Sequence, residues 1–324
     1  MSTVVPVGTR LCEPGAIADP ALRVLARRAH GGDRAADEHV AVGIEGGGLA
    51  VSMSAGMALA LEHLGLMAHA DSVYGTSAGA LVAAYAAAGR MDDAAVILPA
   101  TCTRDFISPA HPLRGRPVVS LDHLMGLVRA RPPRRSAPDP WQGPDLRILV
   151  TRVHDGTLRT LRGFPDVEGV LAAVRAGMAI PFFAGAAVEY QGELVSDGGL
   201  IESIPVGTPL AEGATHVLAL RSRDTGYRKG ARGRLYGIAE DLVIGRLPGM
   251  LADLIRDRPG RYDAEAEDLA AAARGAGPLA GRATQLAPEP GTPLVGRLQV
   301  DRAKVLAAMA AGAQVVLDAL TERA

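Results

Sequence analysis

Residues 75–79 of the chain, Gly-Thr-Ser-Ala-Gly, carry the clearest chemical signal. They follow a short apolar stretch and precede small apolar residues at helical spacing. This G-x-S-x-G pattern is typical of a nucleophile elbow, a sharp strand-to-helix turn that exposes a serine hydroxyl. The flanking Gly75 and Gly79 permit the tight turn and the close approach of neighbouring backbone. We therefore predict Ser77 as a nucleophile, with a helix N-cap as its alternative role.

A second candidate is the run of three glycines Gly46, Gly47 and Gly48, which ends the preceding predicted strand. Backbone N–H groups in such a concave turn suit an anion, so these glycines are candidates for an oxyanion hole. A bare turn is the alternative. The dinucleotide fingerprint G-x-G-x-x-G fails in both frames, because Glu45 and Val51 stand where it needs glycine. A P-loop also fails, since no Gly-Lys-Ser/Thr follows.

A third candidate is Asp197, the first residue of an Asp-Gly-Gly turn after an apolar stretch. An aspartate that leaves a strand at such a turn can orient its carboxylate into the cleft that holds Ser77. The alternative is an ordinary Asp-Gly turn with no chemical role.

A Ser-His-Asp esterase of the α/β-hydrolase fold is the competing arrangement, because that fold orders its triad as Ser, acid, His. His216 fits this order but begins an apolar strand, where a structural role is expected. His154 precedes a predicted turn, and His63 lies in a predicted helix. The two cysteines, Cys12 and Cys102, lack the spacing of a metal site or a disulfide framework. Because the sequence contains no Asn, a Cys-His-Asn protease is excluded.

The elements around these residues predict an α/β protein. Two successive strand–loop–helix units favour parallel strands with crossover helices. Further along, the pattern predicts hairpins turning at Asp155–Gly156 and Gln191–Gly192, a helix stopped by Pro181, and a buried strand in "THVLALRS". From about residue 235 it predicts mostly helix.

Composition narrows the function classes. Of the 324 residues, 48% are hydrophobic, and the net charge of -1 provides no global field to attract nucleic acid. Aromatic residues make up 3%, too few for base-stacking platforms. The start of the chain lacks the pattern of a secretory signal, and the longest strongly apolar runs, about ten residues, are too short to span a bilayer. We expect a cytoplasmic protein with peripheral contact to a membrane surface.

Two basic clusters are candidates for that contact, Arg129–Arg135 and Arg228–Arg234. Each basic residue near an anionic bilayer can contribute about 1 kcal/mol to binding. Solvated loops are the alternative interpretation.

The order of the three candidate stretches resembles that of the patatin-like phospholipases, a family of serine acyl hydrolases. "ALALEHLGL", "VRAGMAIPFF" and "IPVGTPLAEGATHVLAL" are also similar to segments of that family, and the likeness extends over most of residues 39–320. The predicted organisation is an N-terminal extension (1–38), a catalytic core (39–222) and a mostly helical part packed on that core (223–324).

The resemblance implies a three-layer α/β/α fold with a mostly parallel central sheet, and C-terminal helices over the site. It implies a Ser–Asp dyad without metal, cofactor or catalytic histidine. Ser77 would be the nucleophile and Asp197 its base, and the amides of Gly46, Gly47 and Gly48 would bind the oxyanion. The implied substrate is a lipid acyl ester, with phospholipase A-like cleavage.

One departure from the family pattern bears on activity. The glycine loop of the family continues with any residue, then Arg or Lys, then Gly, whereas this chain has Leu49, Ala50 and Val51. Glu45 also stands where Asp is commoner. Because Ser77 and the other predicted groups are intact, we expect an active enzyme. The alternatives are a non-lipid esterase or thioesterase, and a catalytically weak lipid-binding protein.

Overall fold

The computed structural model describes residues 12–134, 143–181, 183–229 and 249–321 of the chain. The strands are β1 (Val40–Ile44), β2 (Ser72–Gly75), β3 (Asp145–Arg152), β4 (Leu158–Leu161), β5 (Val188–Tyr190), β6 (Glu193–Asp197), β7 (His216–Leu220) and β8 (Ala283–Leu286). The α-helices are α1 (Pro20–Ala29), α2 (Ser52–His63), α3 (Ala78–Ala87), α4 (Met91–Ala100), α5 (Leu121–Ala130), α6 (Val167–Gly177), α7 (Gly207–Ala211), α8 (Gly249–Ala273) and α9 (Arg302–Leu320).

The strands form one sheet in the order β5-β6-β3-β2-β1-β7-β8, with β4 paired to β3 off this path. Strands β3, β2, β1, β7 and β8 are parallel, whereas β4, β5 and β6 are joined by antiparallel pairs. The carboxyl ends of β1 and β2 therefore lie side by side at one edge of the sheet, and ligands bind outside such ends in open α/β folds.

Alternate residues of β1 face two different cores, which makes the molecule three-layered. Val40, Val42 and Ile44 pack into the larger core with α2, α3, α6 and α9, while Ala41 belongs to a smaller core on the opposite face. Tyr262 of α8 lies in this smaller core. This confirms the predicted α/β/α fold with a mostly parallel sheet.

Both predicted hairpins are present, β3–β4 at Asp155–Gly156 and β5–β6 at Gln191–Gly192. Two other predictions need correction. Helix α6 ends at Gly177, four residues before Pro181, and glycine at 177 permits close packing, since a Cβ there would lie 2.8 Å from the Ile148 side chain. The region predicted as helical from residue 235 also contains β8, which extends the parallel sheet beside β7.

Two helices outside the predicted core segment also pack on it. Within the stretch predicted as an extension, α1 buries Leu22 and Leu25 completely. At the other end, α9 crosses α2 so closely that a Cβ at Gly312 would lie 2.0 Å from the Met53 carbonyl oxygen, and one at Gly56 would lie 1.9 Å from that of Met309. The domain boundaries stay a prediction.

Among the described residues, one helix is long and apolar enough to cross a membrane by length and composition, namely α9. The prediction that every apolar run is too short overlooked it, because Gly and Ala lengthen the apolar stretch without a block of large side chains. Val305, Met309 and Val316 of this helix are buried against the rest of the protein.

Candidate active site

The predicted nucleophile elbow lies between β2 and α3. Ser77 has φ 54° and ψ −135°, a backbone conformation that non-glycine residues rarely adopt and that costs roughly 1–3 kcal/mol. A Cβ at Gly75 would lie 2.5 Å from the Gly79 carbonyl oxygen, and one at Gly79 would lie 2.3 Å from that of Ile44. Both glycines are therefore required by the close packing of this turn, as predicted.

The three-glycine loop lies directly against Ser77. A Cβ at Gly46 would lie 2.6 Å from the Ser77 Cβ. Gly47 and Gly48 have φ values of 129° and 59°, which favour glycine. The chain then enters a 3₁₀ turn over Gly48–Val51 that leads into α2. The loop thus brings its backbone to the nucleophile and needs glycine at all three positions.

A buried polar cluster holds this loop from behind. The Glu45 carboxylate accepts hydrogen bonds from the Arg221 Nε (3.0 Å), the Ser222 N–H (2.8 Å) and the Tyr262 hydroxyl (2.8 Å). The Ser222 hydroxyl in turn donates to the Gly46 carbonyl oxygen at 2.7 Å. Because a buried carboxylate is stable only with such partners, Glu45 ties the loop firmly to the strand end of β7 and to α8.

Asp197 ends β6 and is completely buried. Its Oδ1 accepts from the Gly199 N–H at 2.7 Å, whereas Oδ2 has no hydrogen-bond partner of good geometry among the described residues. Burial raises the pKa of this carboxyl, against the lowering effects of Arg258, the Ser77 hydroxyl, the Gly199 amide and Lys229. The Ser77 hydroxyl is thus close enough to act on this carboxyl. Because the pKa of the carboxyl is raised, its ionised form is a stronger base than an ordinary carboxylate.

One side of Ser77 opens into a space that we call the polar chamber, of about 310 Å³. It also touches Gly46, Gly47 and Gly199. Its remaining polar and charged lining residues are Glu45, Thr76, Ser203, Ser222, Arg223, Tyr227, Lys229, Arg258 and Arg297. Four of these nine are basic, which makes the chamber suited to an anion.

The other side of Ser77 opens into an apolar cavity of about 550 Å³. Its walls include Leu81, Leu124 and Phe183, and apart from Ser77, Thr101 and Arg297 every lining residue is apolar or glycine. The departure from the family pattern contributes here, because Leu49 and Val51 line the cavity. An apolar lining of this kind suits a hydrocarbon group.

None of the eight histidines of the chain, all of which the structure describes, lines the polar chamber or the apolar cavity. His216 begins β7 at the end of the sheet away from Ser77 and contacts the Thr215 hydroxyl. His154 lies beside Asp155, and His63 lies beside Asp92. The geometry therefore gives no histidine triad, and the described residues contain no cluster of His, Cys, Asp and Glu that could hold a metal.

The two basic clusters proposed for membrane contact lie partly outside the described residues, which omit 135 and 230–234. Of the described ones, Arg129 pairs with Glu168 at 3.2 Å, and Arg228 pairs with Glu267 at 3.1 Å. The membrane contact stays a prediction.

Sequence reasoning placed Lys229 in the basic cluster Arg228–Arg234 and missed two other basic residues of the polar chamber, Arg258 and Arg297. Each lies far along the chain from Ser77, in a segment without a recognisable motif. Arg258 belongs to α8, and Arg297 follows β8 in a loop whose carbonyl oxygen accepts the Leu49 N–H at 3.1 Å. The only sequence signal for them was the absence of a basic residue at position 50. This absence indicated that another segment could supply the basic group near the glycine loop.

Comparison with known proteins supports the resemblance. A family model described as patatin-like phospholipase matches residues 44–210, just over half of the chain. No curated protein matches. Among solved structures, VipD from Legionella pneumophila is 14% identical with a TM-score of 0.42, covering 88% of this chain and 67% of VipD. Human GIVD cytosolic phospholipase A2 is 20% identical with a TM-score of 0.28, covering 50% of this chain and 28% of that chain.

The chain thus spans little more than a quarter of the human phospholipase, and both structural likenesses are too distant to carry an argument about activity. The family model matches the segment that contains the glycine loop, the nucleophile elbow and Asp197. By that match, the chain belongs to the patatin-like phospholipase family.

Proposed function

We propose that the chain hydrolyses lipid acyl esters through a covalent acyl-serine at Ser77, with Asp197 as the base. One observation carries this proposal. A strained serine lies where an apolar cavity meets a polar chamber, beside a glycine loop and within reach of a buried carboxyl. The acyl chain would occupy the apolar cavity, and the polar end of the substrate would lie in the polar chamber.

The reaction would proceed in two stages. The Ser77 hydroxyl attacks the ester carbonyl carbon as Asp197 takes its proton, and the negative charge develops on the carbonyl oxygen. Amides of Gly46, Gly47 and Gly48, with the N-terminal end of α3, stabilise this oxyanion. Loss of one such donor typically costs about 2.7–4 kcal/mol of transition-state stabilisation. The alcohol leaves with the proton, and Asp197 then deprotonates the water that hydrolyses the acyl-serine.

A second candidate is a catalytically weak lipid-binding protein. The observation that favours it is the environment of Ala50 and Val51, which are 2% and 1% exposed where the family has a basic residue and glycine. This change removes a charge from the oxyanion loop. The apolar cavity does not depend on that charge, so lipid binding would survive a loss of turnover.

The deciding experiment is covalent labelling with an alkyl fluorophosphonate, read by intact mass. We expect wild type to gain one adduct, Ser77→Ala to gain none, and Asp197→Asn to react much more slowly. Ser108→Ala is the control, because Ser108 lines neither the polar chamber nor the apolar cavity and its loss should leave labelling intact. A folded wild type that takes no label would refute the proposed catalysis and favour the lipid-binding candidate.

A substrate series separates lipid hydrolysis from a non-lipid esterase or thioesterase activity. We expect kcat/KM to rise with acyl length from two to twelve carbons for p-nitrophenyl esters, because each buried methylene adds about 0.8 kcal/mol of binding. A preference for acetyl or thioester substrates over long acyl esters would contradict the lipid assignment.

A further inference from the structure

The polar chamber contains a cation, Arg297, whose side chain makes no polar contact with any other described residue. Arg297 lines both the polar chamber and the apolar cavity next to Ser77. Among the described residues, its guanidinium has no hydrogen bond and no ion pair, although its carbonyl oxygen is held by the Leu49 N–H. An arginine fork placed at the reacting serine without a partner is suited to a substrate carboxylate or phosphate.

Two further basic groups lie deeper in the same chamber. The Lys229 ammonium donates to the Ser203 hydroxyl at 3.0 Å and lies 3.9 Å from the Tyr262 ring centroid. Burial, Arg258 and Arg297 lower the pKa of Lys229, against the raising effects of Glu45 and Glu265, so each guanidinium is close enough to repel the Lys229 ammonium. An anion bound between them would relieve this repulsion.

Of the described acidic groups near the chamber, Asp197 acts on Arg258 and Lys229, and none pairs with Arg297. Glu45 is occupied by Arg221, Ser222 and Tyr262, as described above. The Glu265 carboxyl accepts from the Ser203 and Ile204 N–H groups, and burial raises its pKa to about 8. At neutral pH it is therefore mostly protonated and contributes little negative charge.

A fourth observation independently indicates a ligand. Thr76 lines the polar chamber and is 0% exposed, yet its Oγ1 has no hydrogen-bond partner in the described part of the chain. Buried hydroxyls in proteins are almost always paired, because an unpaired one costs about 1–3 kcal/mol. A ligand oxygen in the chamber would give this hydroxyl an acceptor.

We infer that the polar chamber is a binding site for the anionic group of the substrate, held by Arg297, Lys229 and the Thr76 hydroxyl. This inference rests on the proposed function, because it assigns the substrate class of the same serine. The preferred substrate is an acyl ester whose compact anionic group, a phosphate monoester or a carboxylate, lies a few bonds from the ester. The basic residues of the chamber disfavour a cationic group such as choline.

Arg297 also supplies a basic group near the glycine loop, where this chain lacks the basic residue that the family has. The backbone of Arg297 packs on the glycine loop, since a Cβ at Gly48 would lie 2.5 Å from its carbonyl oxygen. Arg297 thus brings a basic group to the loop that has Ala50 where the family has Arg or Lys. It reaches that loop from a segment outside the matched residues 44–210.

The test compares three short diacyl substrates with identical dihexanoyl chains, used below their micellar concentrations so that no interface forms. They are dihexanoylglycerol (neutral), dihexanoyl phosphatidylcholine (zwitterionic) and dihexanoyl phosphatidic acid (anionic). Wild type should prefer the anionic substrate. Arg297→Gln should lower kcat/KM for it roughly ten- to a hundredfold, the range for a charge-assisted hydrogen bond, and change the neutral substrate less than about twofold.

Arg162→Gln is the matched control, because Arg162 is exposed and lines neither space. Hexyl phosphate, with hexanol as its neutral counterpart, gives a binding readout that needs no turnover. It should slow fluorophosphonate labelling of wild type and of Arg162→Gln, and protect Arg297→Gln far less. Labelling without hexyl phosphate reports whether the Arg297→Gln site is intact.

Three results would overturn the inference. An equal loss on all three substrates would mean that Arg297 assists the reaction of any ester, and no loss on any would mean that no anion binds there. If Ser77 of wild type takes no label at all, the proposed function fails. If Ser77 is labelled but phosphatidic acid is not preferred, only the anion site fails.

Discussion

The apolar cavity and the polar chamber meet at Ser77 but come from different parts of the chain. Apart from Arg297, the cavity is lined by residues between 48 and 184, all within the segment matched by the family model. The four basic residues of the chamber, Arg223, Lys229, Arg258 and Arg297, all lie beyond residue 210, where that match ends. The apolar cavity is thus built almost entirely within the matched segment, whereas the basic residues of the polar chamber come from segments beyond it.

The two spaces can therefore discriminate between substrates in different ways. An apolar cavity discriminates by size, and each methylene group that fits or fails to fit changes the binding energy modestly. A chamber of charges and unpaired hydroxyls discriminates by chemistry, because a substrate without the complementary group leaves buried polar atoms unpaired. We expect the apolar cavity to select substrates by acyl chain length and the polar chamber to select them by headgroup charge.

The largest effect should come from Asp197, because it acts on Ser77 at the point where the apolar cavity and the polar chamber meet. Asp197→Asn should lower kcat roughly 10³- to 10⁴-fold, by analogy with amide replacement of a catalytic aspartate. The loss should be equal for every acyl length and every headgroup, because the proton transfer is common to all of them. Steady-state kinetics on the substrate series above measure it. If Asp197→Asn keeps a tenth of wild-type kcat, Asp197 is not the base.

A smaller effect should be confined to the apolar side. Ala184 lines the cavity and is 7% exposed, so Ala184→Phe would fill part of the acyl site. We expect kcat/KM for dodecanoyl esters to fall roughly 10- to 200-fold while butanoyl esters change little. Met178→Leu, a volume-conserving change in the same cavity, should behave as wild type. An equal fall for both chain lengths would show that the cavity does not hold the acyl chain.

The smallest effect concerns the polar side and is a pH dependence of stability. The pKa of Glu265 is raised from 4.5 to about 8, chiefly by burial. Between these values the folded state holds a proton that the unfolded state releases, so stability falls as pH rises. The slope approaches about 1.4 kcal/mol per pH unit. The pKa of Glu62, raised to about 7, adds a slope of the same sign at lower pH.

Urea unfolding at pH 5, 6, 7 and 8 measures this slope. Glu265→Gln should flatten the profile between pH 7 and 8, where Glu62 contributes little. Glu267→Gln is the control on the same helix, because the Glu267 carboxyl is exposed and its pKa is lowered by Arg274 and Arg228. Parallel profiles for wild type and Glu265→Gln would mean that Glu265 is ionised in the folded protein.

The parts of the site that sequence predicted are those encoded within a few neighbouring residues. Gly46–Gly48, the Ser77 elbow and the Asp197 turn each combine a backbone requirement with a chemical group in one short motif. The glycine spacing predicts a tight turn, and a tight turn of this kind exposes the side chain at its centre. These positions, the hairpins and the α/β class therefore follow from local pattern.

The remainder depends on contacts between distant segments. Arg221 and Glu45 are 176 residues apart, and neither flanking sequence indicates their pairing. The strand β8 is only four residues long, and residues 221–282, which include α8, separate it along the chain from its partner β7. Whether Arg297 points at Ser77 or at solvent is decided by how its loop packs on Leu49. Local periodicity contains no such information.

The crossing of α2 and α9 has an evolutionary consequence. Gly56 and Gly312 each face a carbonyl oxygen of the other helix at a distance that no side chain permits. Helix α2 follows the glycine loop, and α9 follows the loop that carries Arg297. A mutation at either glycine would separate the two loops, so selection for activity should act on both positions although neither touches substrate. In related sequences that keep Arg297, we expect positions 56 and 312 to vary together or not at all.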